Sequence, residues 1–424
     1  MNKYFDLDTK LKIYISFLVF YVIFYLYFKH NVGNDSSISE WLINYRGGFT
    51  RRGLGGELAI FLSNITNFTL RFSIFILQIA IHVSYLCLIF LFFRKIKFNI
   101  IQIFALFAPI FLIYPIAELE VLGRKEILLF IFFLGSIFLG SINYSPKYLN
   151  SFILILFPLV CLIWEQIVLF APYFLVIIIF KNKLKTFKEI FTKTLIIFGP
   201  SIFTFGIIFF FPLDKDGHSA MCEFLTKEFR ETCYMSANLL VKNTIYFDTF
   251  NVVHGNANLT HYIRYILIFF VGFFPLHYLI KQNSFKKNNN FISNNFKLFQ
   301  VYLILYTPPS LLFIFGYDWG RWINITYTFS ILLYFFLLKN NFITNDLKIQ
   351  NSALSIIVNK KKYLITIFIF FAFYWSPKTV ITGDIATNTL YKIIYNSSKK
   401  IFKHDGVRIF LDNPIIKFHK KYIE

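Results

Sequence analysis

Phe152 to Phe180 reads FILILFPLVCLIWEQIVLFAPYFLVIIIF, an apolar run of 29 residues whose only charge, Glu165, sits at its middle. At about 1.5 Å per residue, one helix of that length would overrun a hydrocarbon core of about 30 Å. A carboxylate left at mid-bilayer would also cost roughly 2.5 to 3.5 kcal/mol. Two shorter helices meeting at Trp164-Glu165-Gln166 avoid both penalties, because the carboxylate then reaches a water-accessible end. The flanks agree with a hairpin. Lys181 to Lys193 carries five lysines and belongs on the same side as Lys147, and only an even number of crossings between them allows that.

Nine further apolar runs extend the pattern: Leu11 to Phe28, Phe72 to Phe93, Ile100 to Ala117, Ile127 to Ile142, Leu195 to Phe211, Tyr262 to Ile280, Leu298 to Gly316, Trp322 to Leu338 and Tyr363 to Trp375. With the hairpin they make eleven helices, within a range of ten to twelve. The expected fold is an all-α polytopic integral membrane protein, with residues 1–424 as one membrane-embedded domain. Its parts are an external Gly/Arg loop (29–71), a larger external loop (213–261) and a basic C-terminal tail (378–424). The first run lacks a small-residue cleavage site, so it is expected to remain as helix one. With 57% apolar, 21% aromatic and 15% charged residues, the composition excludes an ordinary soluble domain. The net charge of +21 does not indicate nucleic-acid binding, because no basic stripe interleaved with exposed aromatics lies outside the apolar runs.

Charge orients the chain. With the N-terminus inside, the cytoplasmic pieces hold 21 Lys and Arg, and the somewhat longer external loops hold 12. The nine basic residues of the tail, placed outside, run against this bias and point to a re-entrant last span or a tail lying on the membrane surface. Cys222 and Cys233 fall in the large external loop, where a disulfide is expected.

The two basic residue types separate by side. Twenty of the 21 cytoplasmic cations are Lys, whereas seven of the 12 external ones are Arg. A planar guanidinium binds phosphate bidentately and is less strongly hydrated than an ammonium. The first external loop, YRGGFTRRGLGGEL from Tyr45 to Leu58, packs five of the chain's 18 glycines beside Arg46, Arg51 and Arg52. Such a loop suits a phosphate or diphosphate cradle, with a structural Gly-rich turn as the competing reading. A short interfacial helix is expected at Glu57 to Phe68. The second external loop, Glu118-Leu-Glu-Val-Leu-Gly-Arg-Lys-Glu126, adds Glu118 and Glu120 as candidate general bases and Arg124 and Lys125 as phosphate partners. Glu165 and Asp318, the latter in Asp318-Trp-Gly-Arg321-Trp322, are the remaining candidate bases. Arg321 is a further phosphate ligand, though Asp318 and Arg321 also stand at a spacing that lets them pair. His218 and His254 are external candidates for proton transfer. No metal ligand set is assigned and no cofactor is called for with certainty. Room is left for a divalent cation, since an Asp-x-Asp pair such as Asp214-Lys-Asp216 can hold Mg²⁺ or Mn²⁺.

With about eleven helices, arginines and acids on external loops and a Gly-Arg-rich loop after helix one, the layout resembles the bacterial O-antigen or capsule polymerases of the Wzy type. It also resembles the polytopic GT-C glycosyltransferases. Resemblance to the polymerases implies transfer of a growing chain from one undecaprenyl diphosphate to a lipid-linked repeat unit. The donor and acceptor would be polyprenyl-linked saccharides at the external face of a bacterial inner membrane. The GT-C resemblance implies addition of one sugar from a polyprenyl phosphate. Its base would be an acid of the first external loop, here Asp35, Glu40 or Glu57, none of them in an Asp-x-Asp or Glu-x-Asp pair. A lipid-linked oligosaccharide flippase is the non-enzymatic alternative. It would place charges along the spans and show internal repeats, whereas these spans contain few ionisable groups (His82, Arg264, His277) and no repeat is evident.

Overall fold

The computed structural model describes residues 5–32, 35–141, 145–238, 240, 255, 257–286, 290–345, 360–382 and 388–402. Among the described residues strand is confined to Phe5–Asp6, which pairs antiparallel with Lys97–Phe98, and to one isolated bridge between Phe285 and Ile343. The rest of the regular structure is helical.

Among the described residues eight helices are long and apolar enough to cross a membrane: Asp8–Lys29, Leu70–Phe93, Pro146–Ile163, Glu165–Asn182, Phe187–Phe210, Leu259–Gln282, Leu298–Phe315 and Trp319–Lys339. The break expected at Glu165 is present. One helix ends at Ile163, Trp164 is extended, and the chain restarts as a 3₁₀ turn, Glu165–Phe170, that runs into the helix Ala171–Asn182.

The expectation of eleven long helices is corrected at three places. The runs near residues 127 and 363 form shorter apolar helices, Glu126–Ser141 and Lys361–Phe373. Ile100 to Ala117 is not one helix but two short ones, Ile100–Leu106 and Tyr114–Ala117. Pro109 explains the interruption, since it lacks an N–H and its ring collides with the carbonyl four residues back. The carbonyls freed there need donors in an apolar setting. Asn324 Nδ2 donates to the carbonyl oxygens of Ile110 (2.8 Å) and Phe111 (3.2 Å), and Tyr327 Oη donates to that of Ala105 (2.7 Å).

Those donors lie on Trp319–Lys339, which is the centre of the molecule. Of its most apolar window 89% is buried, against 22% for Phe187–Phe210 at the periphery. The peripheral helix presents Phe203 and Phe210 outward, as a lipid-facing helix does. Around the central helix, Phe329 packs on Phe133, Phe170 and Tyr173, and Phe335 on Phe93 and Phe98.

Contacts sort the connections into two ends. At one end the N–H of Lys95 donates to Asp8, Lys339 Nζ to the Phe92 carbonyl oxygen, Asn340 to Ser141, and the N–H of Phe291 to the Leu184 carbonyl oxygen. This is the lysine-rich end. At the other end lie the first and second external loops, the Glu165 break, the 318–321 turn and the tail helix Thr389–Phe402. The tail helix is held there by Lys392 on Glu118 (3.3 Å) and by Tyr25 Oη donating to the Ile393 carbonyl oxygen (2.8 Å). Leu390, Ile394 and Ile401 of that helix remain exposed, the pattern of a segment lying on a membrane surface.

Candidate functional site

The arginine-rich end is assembled from its backbone outward. Asp35 caps the helix Ser36–Leu42 by accepting from the N–H groups of Ser37 (2.8 Å) and Ile38 (3.2 Å), which fixes Glu40 and Trp41 one turn on. Trp41 Nε1 and Gln78 Nε2 both donate to the Gly123 carbonyl oxygen (2.8 and 2.9 Å), and Lys29 Nζ donates to the carbonyl oxygens of Leu119 and Leu122. The second external loop is thereby pinned against the first. The interfacial helix expected at Glu57 to Phe68 runs from Leu54 to Thr66 and turns Leu58, Phe61 and Ile65 outward.

The Gly-rich segment serves close packing. A Cβ at Gly56 would stand 2.0 Å from the Ile43 carbonyl oxygen, and one at Gly55 would stand 2.8 Å from Lys125 Nζ. A packing role therefore accounts for these two glycines, which lie in a helix rather than a turn: Gly55 makes room for the buried Lys125 and Gly56 for the Ile43 backbone. Gly56→Ala should cost about 1 to 3 kcal/mol through overpacking. It should appear as a lowered unfolding midpoint of the detergent-solubilised protein, and an unchanged midpoint would mean that the loop can move aside.

Around that lysine five cations and four carboxylates come together. Arg52 clamps Glu165 with two hydrogen bonds, Nε to Oε2 at 3.0 Å and Nη2 to Oε1 at 2.8 Å, and Arg51 adds an ion pair at 3.7 Å. Glu40 Oε1 accepts from Arg124 and, at 3.5 Å, from Arg321. Arg321 also pairs with Glu126 and with Asp318 (2.9 Å), so one guanidinium is shared by three carboxylates. Arg124 donates in addition to Ser36 Oγ (2.9 Å) and the Glu120 carbonyl oxygen (2.8 Å). Lys125 Nζ donates to the Arg52 carbonyl oxygen (2.7 Å) and stands over the Trp41 ring. Six of the nine, Glu40, Arg124, Lys125, Glu126, Glu165 and Arg321, are at most 8% exposed.

The network is not closed on itself. Glu40 Oε2, Arg321 Nε and the indole N–H groups of Trp164 and Trp322 are buried without a hydrogen-bond partner among the described residues. Leaving such groups unmet costs about 1 to 3 kcal/mol each, so the network has donors and an acceptor to offer a polar partner.

Its groups also differ in proton affinity. Burial alone would raise the Glu40 carboxyl, but Arg124, Arg321, Arg52 and Lys125 outweigh it and hold it at about 2. Burial pushes the Asp318 carboxyl up to about 6; Arg124 and Arg52 oppose the rise and Glu40 and Glu120 add to it. The Arg321 contact does not reverse this, because that guanidinium is divided among three carboxylates. Asp318 remains about 25% exposed and is the reachable carboxylate of the four. Burial lowers the Lys125 ammonium to about 7, with no ion pair to a carboxylate holding it among the described residues.

Of the residues expected at the site, Arg51, Arg52, Arg124, Lys125, Glu165, Asp318 and Arg321 are brought together. Three are not. Glu118 turns to the C-terminal part of the chain, pairing with Lys392 and with Lys378 at 3.7 Å. Arg46 pairs with Glu57 at 3.6 Å, half exposed over the Phe224 ring. Glu120 contributes its carbonyl oxygen, while its side chain is exposed. Glu40 was expected only through the GT-C resemblance, as one of three candidate bases, and Glu126 stood at the end of the second loop without a role, although a lone carboxylate inside Ile38-Ser-Glu-Trp-Leu42 is a signal of the same kind as Glu165.

The described part of the large loop packs through caps, an ion pair and a disulfide. Asp214 caps the helix Lys215–Phe229, accepting from the Gly217 N–H at 2.7 Å, and Asp216 lies exposed in its first turn. Arg71 clamps Glu231 (2.6 and 2.8 Å), and Cys222 and Cys233 form the expected disulfide. His218 lies against Cys222, and His254 falls outside the described residues. No protein-family model, curated protein or solved structure matches the chain.

Proposed function

We propose that the chain is a membrane glycosyltransferase of the lipid-linked saccharide polymerase kind, working at the external face of a bacterial inner membrane. The observation that supports this reading is the meeting of five cations and four carboxylates, drawn from four separated loops, at the end opposite the lysine-rich one. A diphosphate leaving an anomeric carbon carries its own negative charge and needs cations rather than an acid. Arg51, Arg52, Arg124, Lys125 and Arg321 are the groups assigned to it. The acceptor is a sugar hydroxyl, which must lose a proton as its oxygen bonds to the anomeric carbon and the bond to the diphosphate oxygen breaks.

Asp318 is assigned as the base. It is reachable, and its carboxyl lies closer to neutral pH than an ordinary aspartate. Glu165 has both oxygens occupied by Arg52 and serves instead to hold that guanidinium in position.

The test is an electrophoretic profile of surface glycolipid and lipid-linked intermediates from a strain lacking the gene, beside its parent and a complemented strain. Loss of the long-chain ladder, with a single repeat unit still exported, is the expected result. A uniformly trimmed repeat would mean a single-sugar transferase, and repeat units trapped on the cytoplasmic leaflet would mean a flippase. An unchanged profile would remove surface polysaccharide from the reading.

A further inference from the structure

At the lysine-rich end, away from the network just described, a cavity of 660 Å³ opens between the helix termini. That size lies within the range of about 300 to 1,000 Å³ typical of ligand sites. Its rim carries Arg94, Lys95, Lys97, Lys286 and Lys339, and among the described residues no acidic side chain lines it. These cations come from three distant stretches of chain, so their meeting is a product of the fold rather than of one lysine-rich loop.

The backbone that presents them is fixed. Lys95 has φ 66°, in the left-handed region, and its N–H is held by Asp8 at 2.9 Å. Lys97 lies in the short ladder with Asp6, and the Lys286 N–H donates to the Phe342 carbonyl oxygen at 2.9 Å. Lys339 Nζ donates to the Phe92 carbonyl oxygen at 3.1 Å. The side chains of Arg94, Lys95, Lys97 and Lys286 stand exposed. Below them the walls turn apolar with Leu91, Phe138 and Leu338, all on helices that run into the hydrophobic body.

We infer that this cavity is a binding site for a phosphate-bearing anion, and that the anion is the headgroup of an acidic phospholipid. Five cations converging from three stretches of chain on one opening favour an anion with several oxygens, such as a phosphate. An apolar floor between helix ends suits the glycerol and first methylenes of a lipid, which a soluble phosphate would leave unused. The site needs no part of the proposed glycosyl transfer, and its test does not read activity.

The test measures thermal unfolding of the full-length protein in nanodiscs of phosphatidylcholine alone, of phosphatidylcholine with one fifth phosphatidylglycerol or cardiolipin, and in neutral discs with inorganic phosphate or pyrophosphate. Wild type is compared with a Lys95→Gln, Lys97→Gln, Lys286→Gln variant. All three side chains are exposed, so the variant should fold, and its midpoint in neutral discs checks that. Native mass spectrometry then counts retained lipids.

The acidic lipids should raise the wild-type midpoint and remain bound, and the triple variant should hold them on the order of a hundredfold more weakly. Stabilisation by pyrophosphate equal to that by acidic lipid would overturn the lipid assignment and leave a soluble phosphate compound as the ligand. Equal responses of wild type and variant, or no response to either phosphate source, would overturn the site.

Discussion

Replacing Glu40 by alanine is expected to leave little folded protein in detergent. Glu40 accepts from Arg124 and Arg321, and all three side chains are at most 8% exposed. Removing one partner of a buried ion pair strands the other charge and typically costs 3 to 5 kcal/mol. Here two guanidiniums lose their shared carboxylate; Arg321 keeps Glu126 and Asp318, whereas Arg124 keeps only the neutral acceptors Ser36 Oγ and the Glu120 carbonyl oxygen. Glu40→Gln keeps the shape and removes the charge, so it should fail in the same way but less completely. Arg46→Ala is the control, since its pair with Glu57 is half exposed and such pairs contribute little. The measurement is the monodisperse fraction on size exclusion together with the thermal midpoint. A Glu40→Ala protein that is monodisperse with a midpoint near that of wild type would mean that the loops are held by packing alone.

This dependence bears on what a sequence can reveal. The Glu165 break was legible because a charge inside an apolar run has one cheap solution, a chain turn at the surface. That arginine gathers at one end was legible for a similar reason, because side follows from span count. The pairing was not. Arg124 and Glu40 are 84 positions apart, Arg321 and Glu40 are 281 apart, and Lys392 and Glu118 are 274 apart. No periodicity relates residues at such separations, so Glu118 and Asp318 read alike as acids on short external loops. Only the packing sends Glu118 to the tail helix and Asp318 to Arg321.

Two features visible in the sequence were underweighted. Pro109 sits inside a run that reads as continuous when scored by hydropathy, although a proline there removes a donor and breaks the helix. The structure adds what the local sequence lacks, which is the pair of donors on the central helix, Asn324 and Tyr327, that makes the break tolerable. The glycine cluster was legible as unusual and misleading as to cause. Gly55 and Gly56 matter for the absent Cβ, which brings Ile43 and Lys125 close, and both lie inside the helix Leu54–Thr66 with no need of left-handed backbone.

The proposed glycosyl transfer should follow a bell-shaped pH profile with limbs near 6 and 7. A carboxyl raised to about 6 is protonated below that pH, so a reaction that uses Asp318 as base loses rate as pH falls through 6. An ammonium lowered to about 7 loses its charge above that pH, so stabilisation of the leaving diphosphate by Lys125 is lost as pH rises through 7. The two limbs therefore belong to different residues and should separate by mutation. Asp318→Asn should lower kcat/KM by about 10² to 10⁴ and abolish the acidic limb, as removal of a general base does. Lys125→Gln should remove the alkaline limb, and Lys125→Arg should move it beyond the measurable range, because a guanidinium stays charged throughout. Glu165→Gln should weaken the reaction with both limbs intact, since it acts through the position of Arg52. The assay is polymerisation of purified lipid-linked repeat units in proteoliposomes across pH 5 to 9. An Asp318→Asn enzyme that keeps the acidic limb would remove Asp318 from the chemistry and pass the role to Glu120, the remaining candidate with an exposed carboxylate.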